Sequence, residues 1–216
     1  MPPIASGDIV LASASPRRRE LLALIGVPFR VVVSDFDESS LSSTLDPAEY
    51  VERAARGKAD EVARRVDGWI IGVDTDVVSP EGAILGKAVD AVDAARMLRL
   101  LSGRAHRVFS SLVLLHAAAG TTISVDSQTV VTEVTFTRLS ESMISGYLAT
   151  GEYRDKAGAY GIQGAAMALV ERIDGDLSNV IGLPLLALTA MLTARGLPVW
   201  QGAESRTSTQ GIAGVA

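Results

Sequence analysis

Ser13, Ser15, Arg17 and Arg18 fall within SASPRRRELL at 13–22, and together they carry the chemistry of an anion grip. Ser15 is a natural helix N-cap, and Pro16 at the first helical position loses nothing by its missing N–H. A helix start offers unpaired N–H groups and partial positive charge, which suits phosphate oxygens. Cations oppose the dipole at that end, so three consecutive arginines there call for a reason. A bound polyanion supplies one, because guanidinium forks and backbone N–H groups can share its oxygens. Successive helical positions point about 100° apart, which sends Arg17 and Arg18 toward one ligand and Arg19 toward water. Taken alone, the stretch leaves phosphate binding and a plain solvated face equally open.

Asp74-Thr75-Asp76 follows the apolar run WIIGV. Carboxylates at the C-terminal end of a buried strand stand where open α/β sheets place ligand chemistry. Asp74 could hold a divalent metal or orient a water; equally, a turn there could use its Asp side chains to cap local backbone. Lys58 lies in a charged helix (RGKADEVARR), where solvation is the default. Lys87 follows Leu85-Gly86 at a strand end, from which it can reach into a cleft. Glu38 closes the acidic loop DFDE just after a strand. Residues 158–164 (GAYGIQG) let backbone approach a ligand closely, or form an ordinary loop. His106 and His116 show no metal-ligand or triad spacing, and neither is assigned a role.

These side chains need a frame to bring them together. Apolar runs at 8–12, 29–33 and 69–73 read as strands, with 77–78 and 84–85 as a hairpin around SPEGA. Helices are expected from Ser15 to Gly26, from Asp46 to about Arg65, from Asp90 to Gly103, from Ser140 to Gly151 and from Pro184 to about Arg195. Long strands at about 104–117 and 121–138 turn at 118–120, and Val130, Thr132, Val134 and Phe136 share one face of the second. A glycine-rich loop at 151–164 leads to a strand at 167–173. Strands and helices interleave around these hairpins, so the fold class is α/β with a mixed twisted sheet flanked by helices.

With 216 residues, net charge −5 and no cysteine, the chain can bury a core but has no disulfide, thiolate metal site or cysteine nucleophile. A sequence pI near 5.1 argues against a dedicated nucleic-acid partner. The N-terminus has no basic n-region, and the apolar stretch 180–194 is too short to span a bilayer, so it reads as a buried helix. No membrane partner and a cytoplasmic location are expected. One domain over 1–200 is expected, with a disordered tail at 201–216.

In this order, LASASPRRRELL (11–22), DFDE (35–38), Lys58 in RGKA, GVDTDVV (72–78), ILGK (84–87), LSGRAHRVFSS (101–111), GEYRDKAGAYGIQG (151–164) and NVIGLP (179–184) resemble the Maf family of nucleotide pyrophosphatases. The resemblance covers about 8–198. It implies two lobes around a deep cleft, a fold related to inosine triphosphate pyrophosphatases, and hydrolysis of a nucleoside triphosphate to monophosphate and pyrophosphate. It matches Ser13, Ser15, Arg17, Arg18, Lys58 and Lys87 to phosphate contacts, Asp74 to the proton acceptor, and Glu38 and Asp74 to a site for Mg²⁺ or Mn²⁺. YGIQG resembles the subfamily acting on dTTP and UTP, with Arg17, Thr75 and Gln163 at its specificity positions. A homodimer is implied, as is a rival role in cell division and septum formation without catalysis. Val73, Asp76 and Ala88 depart from the family's commoner Ala, uncharged residue and Pro.

Overall fold

The structure is a computed structural model that describes residues 8–42 and 44–201; the expected tail beyond Gln201 lies outside the described residues. Ile9–Leu11 (β1) is buried along its whole length. It runs parallel to Phe29–Val31 (β2) on one side and to the start of Gly68–Val78 (β3) on the other. The full length of β3 then pairs antiparallel with Ala105–Ala118 (β5), after Ile84–Leu85 (β4) has folded back onto its end. Thr121–Phe136 (β6) and Val170–Asp174 (β7) complete the order β2-β1-β3-β5-β6-β7, a mixed sheet as expected. Along the end of β6, Thr132, Val134 and Phe136 are buried while their neighbours are not.

The helices begin where short polar residues precede the apolar periodicity. Pro16–Leu24 (α1) starts on Pro at its first turn and stops before Gly26, whose φ is +62°. Asp46 caps Pro47–Ala63 (α2), Asp90 caps Ala91–Leu101 (α3) and Ser140 caps Glu141–Ala149 (α4), each through its side-chain oxygen. Leu177–Ile181 (α5) and Leu185–Ala194 (α6) follow.

Three expectations need correction, and one helix was not expected. Asp74-Thr75-Asp76 is no turn: β3 continues through it to Val78, because β5 offers a paired residue at every step. Only the second half of 167–173 is a strand, since a 3₁₀ turn occupies Ala165–Leu169. Helix α5, five residues long and capped by Asp176, was too short to show a helical period. Helix α6 is half-buried rather than buried, with Leu188 and Leu192 in the core and Leu186 79% exposed. Among the described residues no helix is long and apolar enough to cross a membrane.

Two bodies of core share the long strands. Ile9, Leu22, Trp69, Ile71, Leu114 and Leu188 pack at one end, backed across the sheet by Val10, Ala55, Ala59 and Ile70. Val77, Leu98, Leu101, Phe136, Tyr147 and Tyr160 pack at the other. Residues 74–76 of β3 lie between them, which makes this stretch the floor of the cleft between two lobes.

Candidate active site

A cavity of about 320 Å³ opens over that floor, within the range of small-ligand sites. Five basic side chains line it, Arg17, Arg18, Lys58, Lys87 and Lys156, with Glu38, Asp74, Asp76 and Asp155 among them. It shares Ser15, Arg17, Arg18, Glu38, Lys58 and Lys87 with a second cavity of about 440 Å³ over the turn 12–18, where Ser13 also lies. Of the residues singled out from sequence, Ser15, Arg17, Arg18, Glu38, Lys58, Asp74, Thr75, Lys87 and Gln163 all line the first cavity. Arg19 is exposed.

Lys58 is the hinge of the arrangement. Its Nζ lies 2.6 Å from Asp74 Oδ1 and 2.7 Å from Glu38 Oε1. Helix α2 can bring it there because Gly72 has no side chain: a Cβ at 72 would sit 2.3 Å from the Ala55 carbonyl oxygen. Glu38 arrives on a loop whose Phe36 ring packs against Gly57 of α2. Asp37 fixes the turn after it, its Oδ1 accepting from the N–H and hydroxyl of Ser39. Burial pushes the Glu38 carboxyl up, but the charge and hydrogen bond of Lys58, with Lys87 and Arg18 behind, hold it below its ordinary value.

Arg18 is committed to the protein's own frame. Its Nε donates to the Gly182 carbonyl at 2.8 Å, and its two other nitrogens donate to Ser13 Oγ, Val73 O and Thr75 Oγ1 at 3.0–3.1 Å. Burial lowers its pKa, while Asp74 opposes that shift. Ser13, 7% exposed, also accepts the N–H of Ser15. Ser15 occupies the N-cap position of α1, but its side chain makes no capping bond, so the first-turn N–H groups keep no partner from it. Thr75 Oγ1 additionally pairs with Ser110 Oγ at 2.8 Å, and Ser110 donates to the Asn179 carbonyl.

Two groups have no role assigned from sequence, His106 and Lys156, and Asp76 stands there only as a departure from the family. Asp76 faces the same side of β3 as Asp74, two residues on, and its carboxyl is pushed up to about 8 by burial, then by Asp74 and Glu38. His106 is buried, its Nε2 2.8 Å from Tyr160 Oη, and burial lowers its pKa to about 4; it supports a cavity wall, since Tyr160 lines the cleft. Lys156 was hidden in the loop before the glycines.

Asp74 Oδ2 is buried without a hydrogen-bond partner. Together with the raised carboxyl of Asp76, it marks a place short of positive charge. Among the described residues no three His, Cys, Asp or Glu side chains form a group able to hold a metal by themselves. Mg²⁺ is commonly bound by one or two carboxylates with substrate phosphates and waters completing its shell, and the donor set here fits that pattern.

Residues 8–195 match the family described as Maf-like protein. A dTTP/UTP pyrophosphatase of Moorella thermoacetica is 47% identical over 193 residues, covering 89% of this chain and 97% of that protein. A dTTP/UTP pyrophosphatase of Geobacter sulfurreducens is 49% identical over 180 residues, covering 83% and 92%. Among solved structures, a HAM1 protein from Coxiella burnetii overlaps 87% of this chain and 98% of its own, at 15% identity and a TM-score of 0.43.

Proposed function

The chain belongs to the Maf-like protein family, and on that premise we propose that it is a nucleoside triphosphate pyrophosphatase acting on dTTP and UTP. It hydrolyses the bond between the α and β phosphates and releases the nucleoside monophosphate and pyrophosphate. The observation that carries the reading is the buried Asp74 carboxylate at the cleft floor, one oxygen held by Lys58 and the other unpartnered.

In this reading the triphosphate lies across the start of α1. First-turn N–H groups, Ser15, Arg17 and Lys87 neutralise its oxygens, and Lys58 stands between them and the two carboxylates. Ser13 and Arg18 shape the turn from behind, and the one guanidinium N–H that Arg18 has left serves the ligand. Asp74 Oδ2 takes a proton from a water as that water attacks the α-phosphorus; a P–O bond forms to the water and the bridging P–O bond to the β-phosphate breaks. No covalent intermediate is required, and the work is placement and charge neutralisation. Glu38 and Asp74 would hold Mg²⁺ or Mn²⁺, with Asp76 beside them. When bound, such an ion supplies charge neutralisation and a more acidic water.

The exposed amide of Gln163 offers a donor and an acceptor to the imide edge of thymine or uracil. Thr75 acts on the base less directly, because Arg18 and Ser110 already hold its hydroxyl. A regulator that bound nucleotide without turning it over would have no need of a buried carboxylate with a free oxygen, and the relatives carry pyrophosphatase names.

The test is to incubate the purified protein with dTTP, UTP, dCTP, dATP and dGTP and Mg²⁺, measuring pyrophosphate and nucleoside monophosphate. Equal amounts of both from dTTP and UTP are expected, with Asp74→Asn slower by at least about a hundredfold, the low end of general-base effects. Release of orthophosphate instead, or turnover by Asp74→Asn at the wild-type rate, would overturn the reading.

A further inference from the structure

We propose that Lys156 is a substrate-binding residue that, with Arg17, holds phosphate oxygens of the triphosphate from the loop side of the cleft. The inference rests on the pyrophosphatase reading above and adds a contact to it.

Lys156 and Arg17 line the same cavity. Among the described residues Lys156 forms no ion pair, and its one hydrogen bond is a long 3.4 Å contact to the Arg154 carbonyl. Arg17 has neither an ion pair nor a side-chain hydrogen bond there. Burial lowers the Lys156 pKa and the charge of Arg17 lowers it further, against the weaker pull of Glu152 and Asp155. A solvated lysine would swing away from a neighbouring cation toward water. This one is held in place.

Its stem lies across Gly161: a Cβ at 161 would sit 2.4 Å from Lys156 Cε and 2.7 Å from Cδ. The Gly161 N–H is itself tied to the buried Tyr147 hydroxyl. The loop is pinned as well. Ala157 bridges Lys87 in antiparallel fashion, and the Gly158 N–H donates to the carbonyls of Leu85 and Gly86 at 2.9 and 3.1 Å. That bridge fixes Lys156 next to Lys87, in the cavity that Arg17 also lines.

Two half-buried cations that line one cavity without an ion-pair partner among the described residues repel each other, and a shared anion reverses the sign of that interaction. The neutral edge of a base would not. A phosphate group, with oxygens for both an ammonium and a guanidinium, fits the pair.

The experiment compares wild type with Lys156→Met, Lys156→Arg and Gly161→Ala, reading KM and kcat for dTTP and UTP and the binding of inorganic pyrophosphate by calorimetry. Lys156→Met keeps the stem and loses the charge. It should raise KM for both nucleotides about tenfold or more, with a smaller change in kcat, and weaken pyrophosphate binding by a similar factor. Lys156→Arg should recover most of the loss. Gly161 has an ordinary backbone conformation and its added methyl meets the flexible end of Lys156, so Gly161→Ala should fold, displace the ammonium and share the defect. Pyrophosphate binding unchanged in folded Lys156→Met would overturn the proposal, as would a KM change confined to one base. Wild-type protein that turned over no triphosphate would instead sink the pyrophosphatase reading, while pyrophosphate binding still judged Lys156.

Discussion

Lys58 Nζ lies 2.6 Å from Asp74 Oδ1, and the two side chains are 12% and 7% exposed. One comes from α2 and the other from β3, sixteen residues apart in sequence. A buried ion pair is weak evidence for stability, because desolvation offsets the attraction. Its place at the floor of a cleft gives it a different purpose: it presents a carboxylate with one oxygen occupied and one free.

Lys58→Met should therefore cost both stability and activity. Removing one partner leaves Asp74 uncompensated, an effect of about 3 kcal/mol in urea unfolding at pH 7. The double variant Lys58→Met/Asp74→Asn should recover much of that stability and none of the turnover. Stability equal to wild type in the single variant would show that the pair is solvated.

Gly72→Ala tests how the pair is brought together. The new methyl would lie 2.3 Å from the Ala55 carbonyl, a backbone atom that cannot turn aside. Helix α2 must shift, with a loss of about 2–3 kcal/mol, the range of overpacked core sites. Turnover should fall with it as Lys58 moves off Asp74.

Arg18→Lys should fail despite keeping the charge. An ammonium cannot span Gly182, Val73, Ser13 and Thr75 at once, so carbonyls and hydroxyls fixed by the guanidinium lose their donors. A stability loss of about 2–3 kcal/mol in denaturant titration is expected, by the cost of unsatisfied buried acceptors.

His106 gives the fold an acid limit. Its folded pKa, about 4, lies below the ordinary 6.5, so the unfolded chain takes up the proton first as pH falls. Stability from the neutral, buried ring is complete above pH 6.5 and is lost progressively as pH drops to about 4, by about 3 kcal/mol in all. Urea midpoints measured from pH 7.5 to 4 should fall less steeply in His106→Gln than in wild type; parallel slopes would contradict a buried neutral ring.

Gln163→Ala should leave stability within about 0.5 kcal/mol, as for other exposed positions. It should narrow the difference in kcat/KM between dTTP and dCTP, measured side by side. An unchanged preference would move base recognition elsewhere in the cleft.

Local signals were enough for much of this. Capping residues Asp46, Asp90 and Ser140, Pro16 at a helix start and alternation in the strands are written within a few residues of where they act, so helices α1–α4 and the β5–β6 hairpin followed from sequence. The arginine turn, Asp74, Glu38, Lys58 and Lys87 could be singled out by residue type and by their shared order with one family. Their interactions could not. Whether Asp74-Thr75-Asp76 ends a strand or continues it depends on β5, whose Ser111, Ser110 and Phe109 pair with it from thirty-odd residues away. Arg17 and Arg18 looked alike in sequence, yet Arg18 is taken up by partners on β3 and the α5–α6 loop while Arg17 is left for the cleft. Lys58 had every local mark of a solvated helix lysine, and only the close approach at Gly72 turned it onto Asp74. The sequence determined which groups the protein has and the elements that carry them, because those follow from short-range propensity. The tertiary structure decided which charges meet and which remain free, because that depends on distances between residues far apart in the chain.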